Sequence, residues 1–146
     1  MRELDKLPFE GINVNGRVYE TFIIEPPVFM PKLMAECEAL GIQIKAMRFD
    51  TLEDILSIEF IRLVNCLGMG AAKLFSDELM IPIKGQLVHL RPQDLPWLLS
   101  HSNGYVFPRA DSIVLGGSVE WGVDDCQDDV ETCERILQDN QSFFKS

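Results

Sequence analysis

Apolar and polar residues alternate along the first part of the chain in two different rhythms. From 18 to 24, β-forming residues recur at about every second position, which predicts a half-buried strand that ends at Pro26. From 29 to 40, apolar residues recur every three or four positions with glutamates between them, as in an amphipathic helix. We expect Pro31 in the first turn of that helix and Gly41 as its C-terminal cap.

Shorter segments of both kinds follow. IQIKAMRF (42–49) alternates as a strand does, and Thr51 opens the capping-box sequence TLED, which predicts a short helix. FIRLVNCLG (60–68) is an apolar run with one arginine, typical of a strand buried on both faces. GAAKLF (70–75) predicts another short helix.

From Met80 onward the pattern favours strands. MIPIKGQLVHL, GYVFPRA and DSIVLGGSVEWG are rich in β-forming residues, with turns expected at Gly104, at 109–111 and at Gly122. Residues 128–143 then predict a last helix, because two aspartates precede an apolar stripe at helical spacing. The stripe consists of Val130, Cys133, Ile136 and Leu137.

The order of these elements predicts the fold class. Strands and helices alternate at first, and a strand-rich stretch and a final helix follow. We expect an α+β fold with a mixed, largely antiparallel sheet and helices packed on one side of it. A chain of 146 residues is long enough for a single domain with its own core.

Charge and cysteine content narrow the function classes. The formal net charge of −10 argues against nucleic acid and against an anionic membrane face as partners. The sequence has no apolar run of a length that spans a membrane, and its charged start lacks a signal-peptide core. The four cysteines lack C-x-x-C spacing, and the two histidines do not complete a metal-ligand pattern with them. We therefore expect a cytoplasmic protein with reduced cysteines and no metal.

The candidate chemistry is weak when each motif is taken alone. GMGAAK (68–73) has two of the three Rossmann glycines and is not a P-loop, and such glycines serve equally well for close helix packing. Cys66 fits a small buried hydrophobe better than a nucleophile, because neither histidine is near it in sequence. The acidic stretch 124–131 fits a solvated turn and helix start. Tyr105 is a core aromatic or a functional residue, and His89 and His101 fit ordinary strand and loop residues.

Six segments, taken in order, carry a family resemblance over roughly residues 16–144. The segments are IIEPPVFMPKLMAECEALG (23–41), MRFDTLEDI (47–55), LVNCLGMGAAKLF (63–75), IPIKGQLVHL (81–90), GYVFPRADSIVLGGSVEWG (104–122) and the helix 130–143. Together they resemble the middle region of D-amino-acid oxidase-type FAD-dependent oxidoreductases, a family that includes glycine and sarcosine oxidases.

The resemblance implies a function and a set of site residues. It implies oxidation of the C–N bond of an amino acid or related amine by hydride transfer to FAD, with no general base and so no catalytic side chain in this chain. Tyr105 matches a tyrosine that helps hold the substrate carboxylate. Cys66, Leu67 and Gly68 match positions where the flavin approaches the backbone, with Leu67 in place of a threonine. Phe49 matches the residue whose backbone meets the adenine half.

Departures from the family pattern define the expected domain organisation. A G-x-G-x-x-G fingerprint is absent, and the chain stops before a G-x-R-P motif. We expect residues 1–146 to form a single domain, mainly a substrate-binding domain, with a strand–helix piece of the FAD domain at about 58–76. Such a chain by itself is expected to be inactive, to retain no FAD and to favour self-association. The alternative is a non-catalytic interaction or oligomerisation module that has lost the cofactor.

Overall fold

The computed structural model of the chain describes residues 1–9 and 12–145, which divide into two compact units. The sheet unit comprises Met1–Glu25 and Ile83–Ser146, and the helical unit comprises Pro26–Pro82. The strands are β1 (Arg2–Leu4), β2 (Gly16–Val18), β3 (Ile83–Lys84), β4 (Val88–Leu90), β5 (Leu99–His101), β6 (Gly104–Pro108), β7 (Ile113–Gly116) and β8 (Glu120–Trp121). The helices are α1 (Pro26–Ala39), α2 (Leu52–Leu56), α3 (Met69–Phe75) and α4 (Val130–Phe143).

Antiparallel pairing dominates the sheet unit. Its main sheet has the strand order β4–β7–β6–β5, and two small ladders pair β1 with β2 and β3 with β8. The turns predicted at 109–111 and at Gly122 are present: the Arg109 N–H donates to the Ser112 carbonyl at 2.8 Å between β6 and β7, and Gly122 follows β8 with φ +76°. The turn predicted at Gly104 lies instead at residues 102 and 103, and Gly104 begins β6. The mixed α+β composition and the antiparallel pairing are confirmed. The one mixed sheet that we expected is instead three antiparallel sheets among the described residues.

The hydrophobic core lies between α4 and the main sheet. Ile136 of α4 is fully buried, and it packs with Leu99, Val106, Ile113 and Leu115 from three strands. The apolar stripe predicted for this helix is only partly buried, because Val130 and Leu137 stay 68% and 40% exposed. The core of the sheet unit therefore depends on Ile136 more than on the other residues of the stripe.

The capping residues predicted for two helices of the helical unit are confirmed. Thr51 and Asp54 form the predicted capping box at the start of α2. Gly41 follows α1 with φ +76°, and the Ile42 N–H donates to the Cys37 carbonyl at 3.0 Å, as in a Schellman cap. The prediction for Pro31 was wrong: α1 begins at Pro26, where a proline suits the first turn, so Pro31 lies in the second turn.

The strands predicted at 42–49 and 60–68 are not formed. Both segments are irregular, and apart from the half-buried Phe49 their apolar side chains are exposed, up to 84% at Val64 and 101% at Ile61. A strand exists only within a hydrogen-bonded ladder, and the structure records no ladder partner for either segment among the described residues. Of the strand predicted at 18–24, only Val18 lies in a strand, as the last residue of β2. The helix predicted at 29–40 is formed as α1, but it has no buried residue.

Two strands escaped prediction because their sequences are short and carry little alternation. β1 begins close to the first residue, and β5 contains only Leu99, Ser100 and His101. Pairing with β2 and with β6 forms these strands. Within the described parts of the chain, the structure contains no helix long and apolar enough to cross a membrane.

Candidate functional site

Tyr105 lies in β6, directly opposite Gly116 of β7. Its ring is half-buried and lies 4.6 Å, centroid to centroid, from the ring of Phe107. A Cβ atom at position 116 would overlap the Cζ and hydroxyl of Tyr105. The first glycine of the LGG sequence, Gly116, is therefore required because the tyrosine ring lies directly on the backbone of the neighbouring strand.

The opposite face of the same two strands meets α4. Side chains alternate along a strand, so Gly104 and Val106 face away from Tyr105. A Cβ atom at Gly104 would lie 2.6 Å from the carbonyl oxygen of Gly116 and 2.9 Å from the Nδ2 atom of Asn140. α4 and β7 therefore approach β6 closely enough at this point to require a glycine.

Asn140 is a buried polar residue that the sequence analysis missed. Its side chain is 2% exposed, and its Nδ2 donates to the carbonyls of Ile136 at 2.8 Å and Gly116 at 3.4 Å. Its Oδ1 lies 3.0 Å from Nε2 of His101. The available signal was its position one helical turn after Ile136, where a polar residue lies on the buried face of α4.

The two histidines have structural partners. The Asn103 N–H donates to Nδ1 of His101 at 3.4 Å, so the Nε2 of His101 carries the proton that bonds Asn140. The His101 ring also stacks on Phe143 at 4.7 Å. His89 is exposed, and its Nδ1 lies 3.3 Å from Oγ of Ser112. Both positions fit the interpretation as ordinary strand residues.

An apolar cavity of about 570 Å³ lies on the α4 side of the main sheet. Val106, Ile113 and Leu115 line it from the strands, and Leu137 and Phe144 line it from the C-terminal segment. Tyr105 points to the other face of the sheet, so this cavity is separate from the tyrosine.

The other predicted site residues lie in the helical unit: three of them directly precede α3, and Phe49 precedes α2. Cys66 and Leu67 are exposed, which corrects the expectation that Cys66 is a small buried residue. The Leu67 N–H donates to Oδ1 of Asn65 at 3.0 Å, and this turn leads into the helix. Phe49 is half-buried in the irregular segment before α2. The segment before α3 has no ladder partner among the described residues, and its side chains are exposed.

Gly68 gives this stretch its backbone shape. It is the N-cap of α3 with φ +56° and ψ −134°, a conformation that glycine adopts far more easily than other residues. A Cβ atom placed there would meet no atom within 4 Å. Gly68 is therefore needed here for its backbone conformation and not for lack of space.

Residues of the sequence KGQ (84–86), which precedes β4, form hydrogen bonds with the loop before α4. Gln86 is 6% exposed; its N–H donates to Oγ of Ser118 at 2.7 Å, and its Nε2 donates to the Gln127 carbonyl at 3.0 Å. Lys84, whose side chain is 12% exposed, donates to Oδ1 of Asp125 at 2.6 Å. Gln86 lies between β3 and β4. An amide suits this buried position because its side chain can donate a hydrogen bond to the Gln127 carbonyl.

The acidic stretch 124–131 serves local structure. Asp129 caps α4 by accepting from the Glu131 N–H at 3.1 Å, and Asp125 accepts from Lys84. The hydrogen bond from Lys84 lowers the pKa of the Asp125 carboxyl, and the same bond raises the pKa of Lys84. Among residues 1–9 and 12–145, no three His, Cys, Asp or Glu side chains converge as a metal site requires.

The lowered pKa of Asp125 predicts a pH dependence of stability. The Lys84–Asp125 bond contributes fully above the ordinary aspartate pKa, about 4, and is lost as the pH falls through the lower folded pKa. We expect Asp125→Asn to be less stable than the wild type at pH 7, with the difference shrinking as the pH falls below ~4. Urea unfolding at several pH values measures this. Asp124→Asn is the control, since the structure records no bond of that side chain to a described residue, and an equal loss there would contradict the prediction.

Comparison with known proteins places the chain in a family. A model of the family described as FAD dependent oxidoreductase matches residues 1–146. Human D-aspartate oxidase is 27% identical over 137 residues, which cover 92% of this chain and 39% of that protein. D-amino acid oxidase of Dugesia ryukyuensis is 24% identical over 131 residues (84% and 40%). The corresponding enzyme of Rubrobacter xylanophilus is 28% identical over 121 residues (80% and 37%).

The family match and these relatives confirm the resemblance that the collinear motifs indicated. The chain spans about 40% of the length of the relatives it matches. The family match extends over both the sheet unit and the helical unit. The chain belongs to the FAD dependent oxidoreductase family.

Proposed function

We propose that this chain forms the substrate-binding part of an enzyme that oxidises the C–N bond of a D-amino acid. The observation that carries the proposal is Tyr105, which lies across Gly116 on the sheet face turned away from α4. A phenol held rigidly on a strand presents its hydroxyl in a fixed direction, as recognition of a carboxylate requires. The names of the relatives, D-amino-acid and D-aspartate oxidases, supply the substrate class.

Each proposed site residue has a distinct role. The hydroxyl of Tyr105 donates a hydrogen bond to the substrate carboxylate and orients the α-carbon. Cys66, Leu67 and Gly68 offer exposed backbone to the flavin ring, and the backbone at Phe49 meets the adenine half. A bound FAD would supply the acceptor for the hydride of the substrate α-carbon, and the imine so formed would hydrolyse. The chain itself binds and orients, and no side chain of it needs to act as a base.

The strand–helix piece at about 58–76, within the helical unit, is proposed to belong to an FAD domain of a longer protein. Segments 42–49 and 60–68 are rich in β-forming residues, yet they are unpaired and expose apolar side chains such as Ile61 and Val64. Strands supplied by the rest of a family-length chain would satisfy their backbone and bury these side chains. The domain assignment is therefore a substrate-binding domain plus a strand–helix piece at about 58–76.

The decisive experiment is an oxidase assay on the family-length protein that carries this sequence. We expect FAD to be bound, D-amino acids to be oxidised, and Tyr105→Phe to raise KM about 10- to 100-fold, the range for losing a hydrogen bond to a charged group. Tyr19→Phe is the matched control, because Tyr19 is 58% exposed, and it should leave KM unchanged. An unchanged KM in Tyr105→Phe would remove the proposed role of the tyrosine.

A second experiment distinguishes the alternative of a non-catalytic interaction module. The exposed apolar segments of the helical unit favour that alternative as well, since they could cover a protein partner. Titration of the present chain with FAD, followed by the fluorescence of Trp97 and Trp121, should show no saturable binding, because the pyrophosphate fingerprint is absent. If the family-length protein also binds no FAD, the module is the better description.

A further inference from the structure

We propose that Asn140 is a positioning residue for Tyr105. By holding the carbonyl of Gly116 from the helix side of the sheet, Asn140 fixes the peptide on which the tyrosine ring lies. Asn140 does not touch the ring itself; it acts through β7. The consequence for substrate affinity rests on the proposed function of Tyr105.

The hydrogen bonds of Asn140 explain why it holds this position firmly. Its two amide hydrogens bond the carbonyls of Gly116 and Ile136, and its oxygen accepts from His101. A buried amide that loses its hydrogen-bond partners has no water to replace them, and this destabilises the folded state. The side chain of Asn140 is therefore strongly favoured in the one orientation that keeps all three bonds. One side chain thus links α4 to the ends of β5 and β7.

Gly116 transmits this constraint through the sheet. Its carbonyl accepts from Asn140, and its Cα supports the Tyr105 ring so closely that no side chain fits between them. Gly104, the residue before Tyr105, is in turn packed against the Asn140 amide. A shift of the amide therefore moves both residues that define where Tyr105 lies: its cross-strand partner and its predecessor in β6.

Fluorine NMR of the chain labelled with 3-fluorotyrosine tests the proposal directly. The chain has two tyrosines, and Tyr19→Phe assigns their resonances. We expect Asn140→Ala to shift and broaden the Tyr105 resonance while that of Tyr19 stays unchanged. Ile136→Val is the control: it loosens the same helix face without changing the bond to Gly116, and it should leave the Tyr105 resonance in place.

Asn140→Asp carries the test should Asn140→Ala fail to fold. An aspartate still accepts from His101 but cannot donate to the Gly116 carbonyl, so the Tyr105 resonance should move in this variant too. A Tyr105 resonance unchanged in the folded variants would overturn the proposal. A shift of equal size in Ile136→Val would also overturn it, because the effect would then reflect general loosening of the core.

The functional consequence is measured in the family-length protein. We expect Asn140→Ala to raise KM for the D-amino acid about tenfold with a smaller change in kcat, since it misplaces a binding group and no reacting one. A fall in kcat with KM unchanged would contradict the positioning role. If that protein oxidises no D-amino acid, the proposed function fails, while the fluorine experiment still decides whether Asn140 positions Tyr105.

Discussion

Replacing Ile136 with alanine is expected to lower the free energy of unfolding of the sheet unit by about 2–5 kcal/mol. Ile136 is fully buried at the centre of the core between α4 and the main sheet. Truncation removes apolar contacts with three strands and leaves a space that the surrounding backbone, fixed by cross-strand hydrogen bonds, can fill only in part. A loss of this size is a large fraction of the stability of an ordinary domain.

Urea unfolding followed by circular dichroism measures the effect of Ile136→Ala. The matched control is Ile61→Ala, the same substitution at a side chain that is 101% exposed, and we expect it to change the free energy of unfolding by less than about 0.5 kcal/mol. Equal losses in the two variants would mean that α4 is not packed on the sheet in solution.

Gly104→Ala is expected to destabilise the sheet unit by about 2–3 kcal/mol. The new Cβ would lie 2.6 Å from the carbonyl oxygen of Gly116, a backbone atom that cannot rotate away. Relief requires β6 and β7 to separate or Asn140 to retreat, and a retreat leaves the buried amide and its partners unsatisfied. The substitution of one hydrogen by a methyl group therefore disturbs both a ladder and a hydrogen-bond network.

Gly85→Ala is the matched control for Gly104→Ala. A Cβ there would lie 3.6 Å from the Ser118 carbonyl oxygen, which is ordinary van der Waals contact. We expect its midpoint in urea to stay close to that of the wild type. Comparable losses in the two variants would show that the approach of α4 and β7 to β6 is looser than the structure has it.

Local sequence signals predicted much of the fold. The start of α2, the cap of α1 and the turn at 109–111 follow from Thr51, from Gly41 and from the break between two β-rich runs. Each of these features depends on residues within about one turn of each other, so the sequence contains all of the required information. The collinear motifs likewise indicated the family, because they are properties of the chain alone.

The strands at 42–49 and 60–68 show where local signals fail. Their composition favours extended backbone, but hydrogen bonding to a neighbour is required to make a strand, and no described residue supplies it. The alternation of apolar and polar residues therefore indicated which segments can form strands. It did not indicate whether a neighbouring strand is present to pair with them. The same limit explains the exposure of Cys66, which a buried strand would have covered.

For the candidate site as well, some features follow from the sequence and others only from the tertiary structure. The sequence by itself determined the family, the position of Tyr105 in a β-rich run and the glycine at the start of α3. Only the tertiary structure decided that Gly116 lies beneath Tyr105 and that Asn140 holds Gly116 from the other side. These contacts join residues far apart in the chain, and their geometry follows from cross-strand register and helix packing, which no local pattern of side chains encodes.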